Sequence, residues 1–107
     1  MKGKPAISHI LEEFKRELQE IAGDRLKKVV LFGSHARGEA AGDSDIDVIL
    51  LFSEEPSHEV KRRIRDVSNA LSLKHDAVIA EFIFTESEFQ RYQTPFILNI
   101  KREGIAI

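Results

Sequence analysis

The 107-residue chain contains no cysteine, which excludes disulfides and zinc–thiolate sites. No signal peptide is visible either, so a reducing cytoplasm is the expected compartment. No apolar run approaches the roughly 20 residues a helix needs to cross a bilayer, and no membrane association is expected. Charge of one sign is also lacking: 16 Lys and Arg stand against 18 Asp and Glu, a formal net charge of −2. Such a balance gives no electrostatic basis for nonspecific nucleic-acid binding. Linkers, internal repeats and low-complexity stretches are missing. A single domain over residues 1–107 is therefore expected, large enough for one core but too short for a second, substrate-selecting domain. With 42% apolar and 32% charged residues, the chain has the composition of a folded domain and not of a disordered one.

The apolar spacing supplies the elements. Ile7, Ile10, Leu11, Phe14, Leu18 and Ile21 recur at intervals of three and four, predicting an amphipathic helix over 8–22 that Gly23 ends. A strand follows over 26–32, a short helix over 34–39, a turn at Gly42-Asp43-Ser44 and a second strand over 46–52. Pro56 and Ser57 open a helix that carries Val60, Ile64, Val67 and Leu71 on one face. Asp76 introduces a third strand over 77–84. Thr85-Glu86-Ser87-Glu88 has the form of a capping box, with Phe89 and Tyr92 packing from the helix it starts. Thr94-Pro95 begins a last short helix that Gly104 closes. The order α, β, α, β, α, β, α, α predicts an α+β fold: a small mixed β-sheet with helices packed on it.

The chemistry concentrates in Gly33-Ser34-His35-Ala36-Arg37-Gly38-Glu39 and in Asp45-Ile46-Asp47. A Gly-Ser step directly after the apolar run Val29-Val30-Leu31-Phe32 predicts a buried strand ending in a tight turn. Free N–H groups at the start of the following helix suit a phosphate. Ten residues separate Ser34 from Asp45, and Asp45 and Asp47 lie two apart at the start of a strand, so both carboxylates point the same way. Paired carboxylates of this kind hold hard Mg2+ ions that bridge a nucleotide's phosphates.

Gly-Ser, ten residues, then Asp-x-Asp resembles the signature of the DNA polymerase β-like nucleotidyltransferase superfamily. The string Leu31-Phe32-Gly33-Ser34-His35-Ala36-Arg37-Gly38-Glu39 with Ser44-Asp45-Ile46-Asp47 is similar to that of its minimal members, the MNT proteins. The closing Pro95-Phe96-Ile97-Leu98-Asn99-Ile100-Lys101-Arg102-Glu103-Gly104-Ile105 also resembles their tail. The resemblance implies the polymerase β-like fold and transfer of AMP, or another NMP, from an NTP to a hydroxyl. In the implied roles Asp45 and Asp47 are catalytic and ligate two Mg2+ ions. Gly33 and Ser34 hold the β- and γ-phosphates, and Arg37 is a further candidate for the triphosphate. A third carboxylate is usual on the neighbouring strand, but its position falls here on Ala80. Asp76, on the same strand face by parity, and Glu81, adjacent but pointing the other way unless a bulge intervenes, are the remaining candidates. Since the chain lacks an acceptor domain, the resemblance implies a partner that supplies one. MNT proteins commonly pair with a small helical HEPN protein as toxin and antitoxin, the MNT member adenylylating a tyrosine of the toxin.

Other signals carry less. His9, His35, His58 and His75 are scattered without metal-site spacing and are expected to be ordinary surface or helix residues. Lys61, Arg62, Arg63 and Arg65 form a basic cluster opposite an apolar stripe, a solvated face for which an acidic partner or RNA is the sharp alternative. Two further functional readings stand beside the protein-directed transferase. One is a non-catalytic nucleotide-binding module that neutralises or assembles with a helical partner by contact, a reading favoured by Ala80. The other is an RNA-directed transferase.

Overall fold

A computed structural model describes residues 7–40 and 44–107. It begins with helix α1, Ile7–Ala22, and one 3-10 turn over Gly23–Arg25. Strand β1, Leu26–Phe32, leads into the short helix α2, Ser34–Arg37. Strand β2, Ile46–Phe52, is followed by the long helix α3, His58–His75, and by strand β3, Ile79–Thr85. Helices α4, Glu86–Arg91, and α5, Pro95–Glu103, precede a two-residue strand β4, Ile105–Ala106. Of the expected turn at Gly42-Asp43-Ser44, Gly42 and Asp43 lie outside the described residues.

The four strands form one mixed sheet in the order β3-β2-β1-β4. β1 runs antiparallel to β2 and to β4, whereas β2 and β3 are parallel and joined across α3. Parity divides the side chains into two layers. Val29, Leu31, Val48, Leu50, Phe52 and Ile79 pack with Phe14 and Leu18 of α1 and Ile64 of α3 in the larger core. Val30, Phe32, Ile49, Leu51 and Phe84 face Phe89 of α4 and Ile100 of α5 in a smaller one. β2 is thus covered on both faces, which is why its sequence is a continuous apolar run after Asp47 and shows no alternation.

Local chemistry sets the helix boundaries. The Ser57 hydroxyl accepts from the Val60 N–H and caps α3, and Thr94 caps α5 through the Ile97 N–H with Pro95 in the first turn. At α4 the capping box is complete: Thr85 Oγ1 accepts from the Glu88 N–H at 3.1 Å, and Glu88 Oε1 accepts from the Thr85 N–H at 2.9 Å. β3 starts two residues later than the expected 77, because Asp76 takes a left-handed conformation at φ 51° and closes α3. β4 has no counterpart in the sequence reading. A two-residue strand shows no periodicity, and it exists because Gly104 brings the chain back onto β1. A Cβ at Gly104 would stand 2.6 Å from both the Ile100 carbonyl oxygen and Val30 Cγ1. No helix among the described residues is long and apolar enough to cross a membrane.

Candidate active site

β1 and β2 lie antiparallel with Phe32 opposite Asp47, so the end of β1 and the start of β2 meet at one edge of the sheet. The chain leaves β1 through Gly33, whose φ of 78° lies in the region that side-chain-bearing residues avoid. The Gly33 carbonyl then accepts from the N–H groups of Ala36 and Arg37, both at 3.1 Å, which turns the chain into α2. What occupies the space a side chain would take at Gly33 is the Asp47 carboxylate. A Cβ there would stand 2.5 Å from Asp47 Oδ2. Two separated motifs of the sequence are thereby in van der Waals contact.

Asp47 is half-buried, and Asp45, just before β2, is exposed. The Asp47 carboxyl is pushed above the ordinary carboxylate range, first by burial and then by the charge of Asp45, with His35 acting in the opposite sense. Two like charges at one strand end, one of them partly desolvated, form a site whose ionised state a cation would stabilise. His35 lies in helix α2, in keeping with its expectation as a helix residue, and its charge also acts on Asp47. It is half-buried, and its Nε2 lies 3.2 Å from the Ser44 carbonyl oxygen, tying α2 to the approach to β2. Nothing in the sequence separates it from the other three histidines except its place next to Ser34.

Arg37 stands at the end of α2 beside the same turn. Its Nε donates to Glu39 Oε1 at 2.9 Å and its Nη1 to Glu103 Oε1 at 3.4 Å, so the guanidinium joins α2 to α5. Both partners raise its already high pKa. The pairs are largely solvent-exposed and contribute little to stability.

β3 determines which carboxylate can join the pair. Its register with β2 runs without interruption from Ile46 opposite Ile79 to Phe52 opposite Thr85, and it sets Ala80 directly beside Asp47. No bulge rotates Glu81 onto that face. Glu81 instead lies on the side of α3, with its side chain 6% exposed and accepting from Arg65 Nε at 2.8 Å. Asp76 sits in the cap of α3, three residues before β3 begins, and not on the strand face. The structure therefore brings Gly33, Ser34, Asp45, Asp47 and, at the margin, Arg37 to one end of the sheet, and it leaves Glu81 and Asp76 elsewhere. Among the described residues no cluster of three or more candidate metal ligands forms. Within the basic cluster of α3, Lys61 pairs with Glu55, Arg62 with Glu59 and Arg65 with Glu81.

Residues 11–107 match the family model described as a nucleotidyltransferase domain. The chain belongs to the nucleotidyltransferase family. Within it, the chain is 35% identical over 101 residues to MJ0141 of Methanocaldococcus jannaschii, named as a candidate protein adenylyltransferase, covering 94% of this chain and 98% of that one. Two solved structures share the architecture. One is a chain in the tri-AMPylated Shewanella oneidensis HEPN toxin in complex with MNT antitoxin, with a TM-score of 0.60, 14% identity and 92% of this chain and 69% of that chain covered. The other is the spectinomycin adenyltransferase AAD(9) from Enterococcus faecialis with ATP and spectinomycin, with a TM-score of 0.65, 22% identity and 82% and 38% covered. At these identities the structures establish the fold, which is the polymerase β-like nucleotidyltransferase fold.

Proposed function

We propose that this nucleotidyltransferase transfers AMP from ATP, with Mg2+, to a hydroxyl of a protein partner, and that the partner is a small helical HEPN-type toxin for which it is the antitoxin. The observation that carries the reading is the contact of Asp47 with Gly33: the carboxylate pair and the phosphate turn form one site. The names of MJ0141 and of the HEPN–MNT complex support the acceptor class. A cytoplasmic setting and a single catalytic unit over residues 1–107 belong to the same reading.

The donor set fits the ion. Mg2+ is commonly bound by one or two carboxylates together with substrate phosphates and water, so Asp45 and Asp47 suffice when a nucleotide brings the rest. Burial and then the charge of Asp45 raise the Asp47 pKa, so a cation there would favour its ionised form. When bound, Mg2+ would neutralise the triphosphate and stabilise the departing pyrophosphate. The chain's own residues do the rest. The turn at Gly33 and Ser34 holds the β- and γ-phosphates through backbone N–H groups and the Ser34 hydroxyl. Arg37 reaches the triphosphate by exchanging its glutamate partners for phosphate oxygens. The acceptor oxygen forms a bond to the α-phosphorus, the bond from that phosphorus to the bridging oxygen breaks, and pyrophosphate leaves. With Ala80 beside Asp47, no carboxylate from β3 takes the acceptor's proton, which passes to solvent.

Ala80 also favours a second reading, in which the chain binds nucleotide but neutralises its partner by contact. One assay separates the two. The chain is incubated with α-labelled ATP and Mg2+, with its genomically adjacent protein or with RNA, and label is followed by gel and mass spectrometry. Label on the protein partner that disappears in the Asp45→Asn/Asp47→Asn double variant is the expected result. Neutralisation retained by that variant, with no label on either acceptor, would establish the contact reading, and label on RNA would replace the acceptor class.

A further inference from the structure

β3 is an edge strand, and its register with β2 fixes which of its main-chain groups face outward. The Ile46 N–H donates to the Val78 carbonyl at 2.8 Å, and the parallel register then runs unbroken to Phe52 opposite Thr85. Parallel pairing alternates along a strand, so Ala80, Phe82 and Phe84 turn their N–H and C=O groups to β2, while Ile79, Glu81, Ile83 and Thr85 turn theirs away. Side chains close both ends of that outer row: the Ile79 N–H donates to Ser72 Oγ at 3.0 Å and the Thr85 N–H to Glu88 Oε1 at 2.9 Å. Between them, nothing among the described residues pairs with the N–H and C=O of Glu81 and Ile83. These four open groups lie symmetrically about Phe82.

The strand itself carries no guard. Natural sheets blunt an open edge with lysine, proline or a bulge, and β3 has none of these across Ile79–Thr85. Its one charge, Glu81, is held by Arg65 with its side chain 6% exposed. Phe82, at the middle of the strand, is 40% exposed. A cavity of about 740 Å³ follows the edge between Val78–Phe82 and a stripe of α3 made by Arg65, Asn69, Ser72 and Leu73, so the side chains of an added strand have room on the α3 face.

We propose that β3 pairs antiparallel with β3 of a second copy of this chain, on a two-fold axis at Phe82, joining two four-stranded sheets into one. The symmetry of the open groups decides the occupant. On that axis Glu81 and Ile83 exchange both main-chain bonds with Ile83 and Glu81 of the second copy, so the four open groups of one chain are satisfied by the same four of the other. Charge is complementary, since each Glu81 faces an isoleucine and not a like charge, and keeps Arg65. Volume is complementary as well. On the Asp47 face Phe82 meets its own copy, and Ala80 stands across from Phe84 of the second copy, a small residue against a large one. Because Ala80 is the neighbour of Asp47, the second copy borders the β3 side of the site. The inference does not depend on the transfer chemistry.

The test is the mass in solution, read by light scattering. The purified chain should give twice its 12.2 kDa. Phe82→Asp and Phe82→Lys should each give the single mass, because like charges then face each other across the axis, and an equimolar mixture of the two should recover the doubled mass. A second variant needs no charge in the interface. The chain has no cysteine, so Phe82→Cys introduces one thiol per copy at the axis. A non-hydrogen-bonded pair there has a Cα spacing of about 4.5 Å, within the roughly 4.4–6.8 Å that a disulfide spans, and the two copies should link on oxidation. Leu73→Cys, placed at opposite ends of the paired strands, should stay unlinked. A wild-type chain of single mass at every concentration would leave the edge to a strand of another protein and overturn the proposal. So would a doubled mass that both charges leave intact, or equal linking in the two cysteine variants. A doubled mass that mixing does not recover, with Phe82→Cys unlinked, would overturn the pairing at Phe82.

Discussion

Asp47 holds two neighbours in tension. Its carboxylate lies where a side chain on Gly33 would be, and it shares the strand end with Asp45, so folding places it next to a backbone turn and a like charge at once. Gly33→Ala should be costly on two independent grounds. The glycine-only backbone conformation, φ 78° with ψ −155°, costs about 1–3 kcal/mol for a residue with a Cβ, and the 2.5 Å approach forces Asp47 or the turn to move. A fall in melting temperature of roughly 5–10 °C, together with loss of Mg2+-dependent ATP binding, is expected in thermal unfolding followed with and without ligand. A variant that melts with the wild type would show that the contact is dispensable. At this scale the sequence was legible in part. Gly33, Ser34, Asp45 and Asp47 announce themselves by spacing, and the glycine was expected to admit a phosphate. That it must also admit Asp47 is a tertiary fact that no local pattern carries. His35 was illegible for the same reason, since its contact with Ser44 depends on how α2 folds back towards β2.

Among the elements, α1 and α3 are clasped by Glu13, which accepts from Lys74 Nζ at 2.7 Å and lies 3.0 Å from His75 Nε2. The Lys74 hydrogen bond, then the one from His75, holds the Glu13 carboxyl below its ordinary value. For a carboxylate lowered by folding, the stabilisation is present above the unfolded pKa and is lost as pH falls through the folded one. Melting curves between pH 7 and 3 should therefore show a steeper acid loss for wild type than for Glu13→Gln, and parallel curves would refute the clasp. β3 supports a different prediction. Because Ala80 is in register with Asp47, Ala80→Asp places a third carboxylate on the site's face of the sheet. Label transfer to the partner should rise about tenfold or more, as a proton acceptor beside the reacting hydroxyl provides. An unchanged rate would mean that proton removal does not limit this enzyme. The long helices and β1 and β2 were readable from periodicity and caps. The start of β3 was displaced because Asp76 prefers the left-handed cap, and β4 was hidden because two residues have no period.

At the scale of the whole molecule, the sheet order leaves β3 as an edge, with the Asp47 end of β2 one strand in from it. Burial on both faces of β2 makes the sheet a rigid mount, and the functional groups sit at its end, where the core stops and the α2 turn begins. The α+β class and the mixed sheet could be anticipated from the order of elements. The division into two cores could not, since it depends on which face each strand turns towards α1 and α3 or towards α4 and α5. Gly33, Ser34, Asp45 and Asp47 are proposed to form one Mg2+–nucleotide site. The most direct test is calorimetric titration of ATP into the wild-type chain and into Asp47→Asn, with Mg2+ and with EDTA. Burial and the Asp45 charge disfavour the ionised Asp47, so the Asn variant should fold at least as stably at neutral pH. ATP binding is expected to require Mg2+ in the wild type and to fall at least tenfold in the folded variant. Equal, Mg2+-independent affinity in both would contradict it.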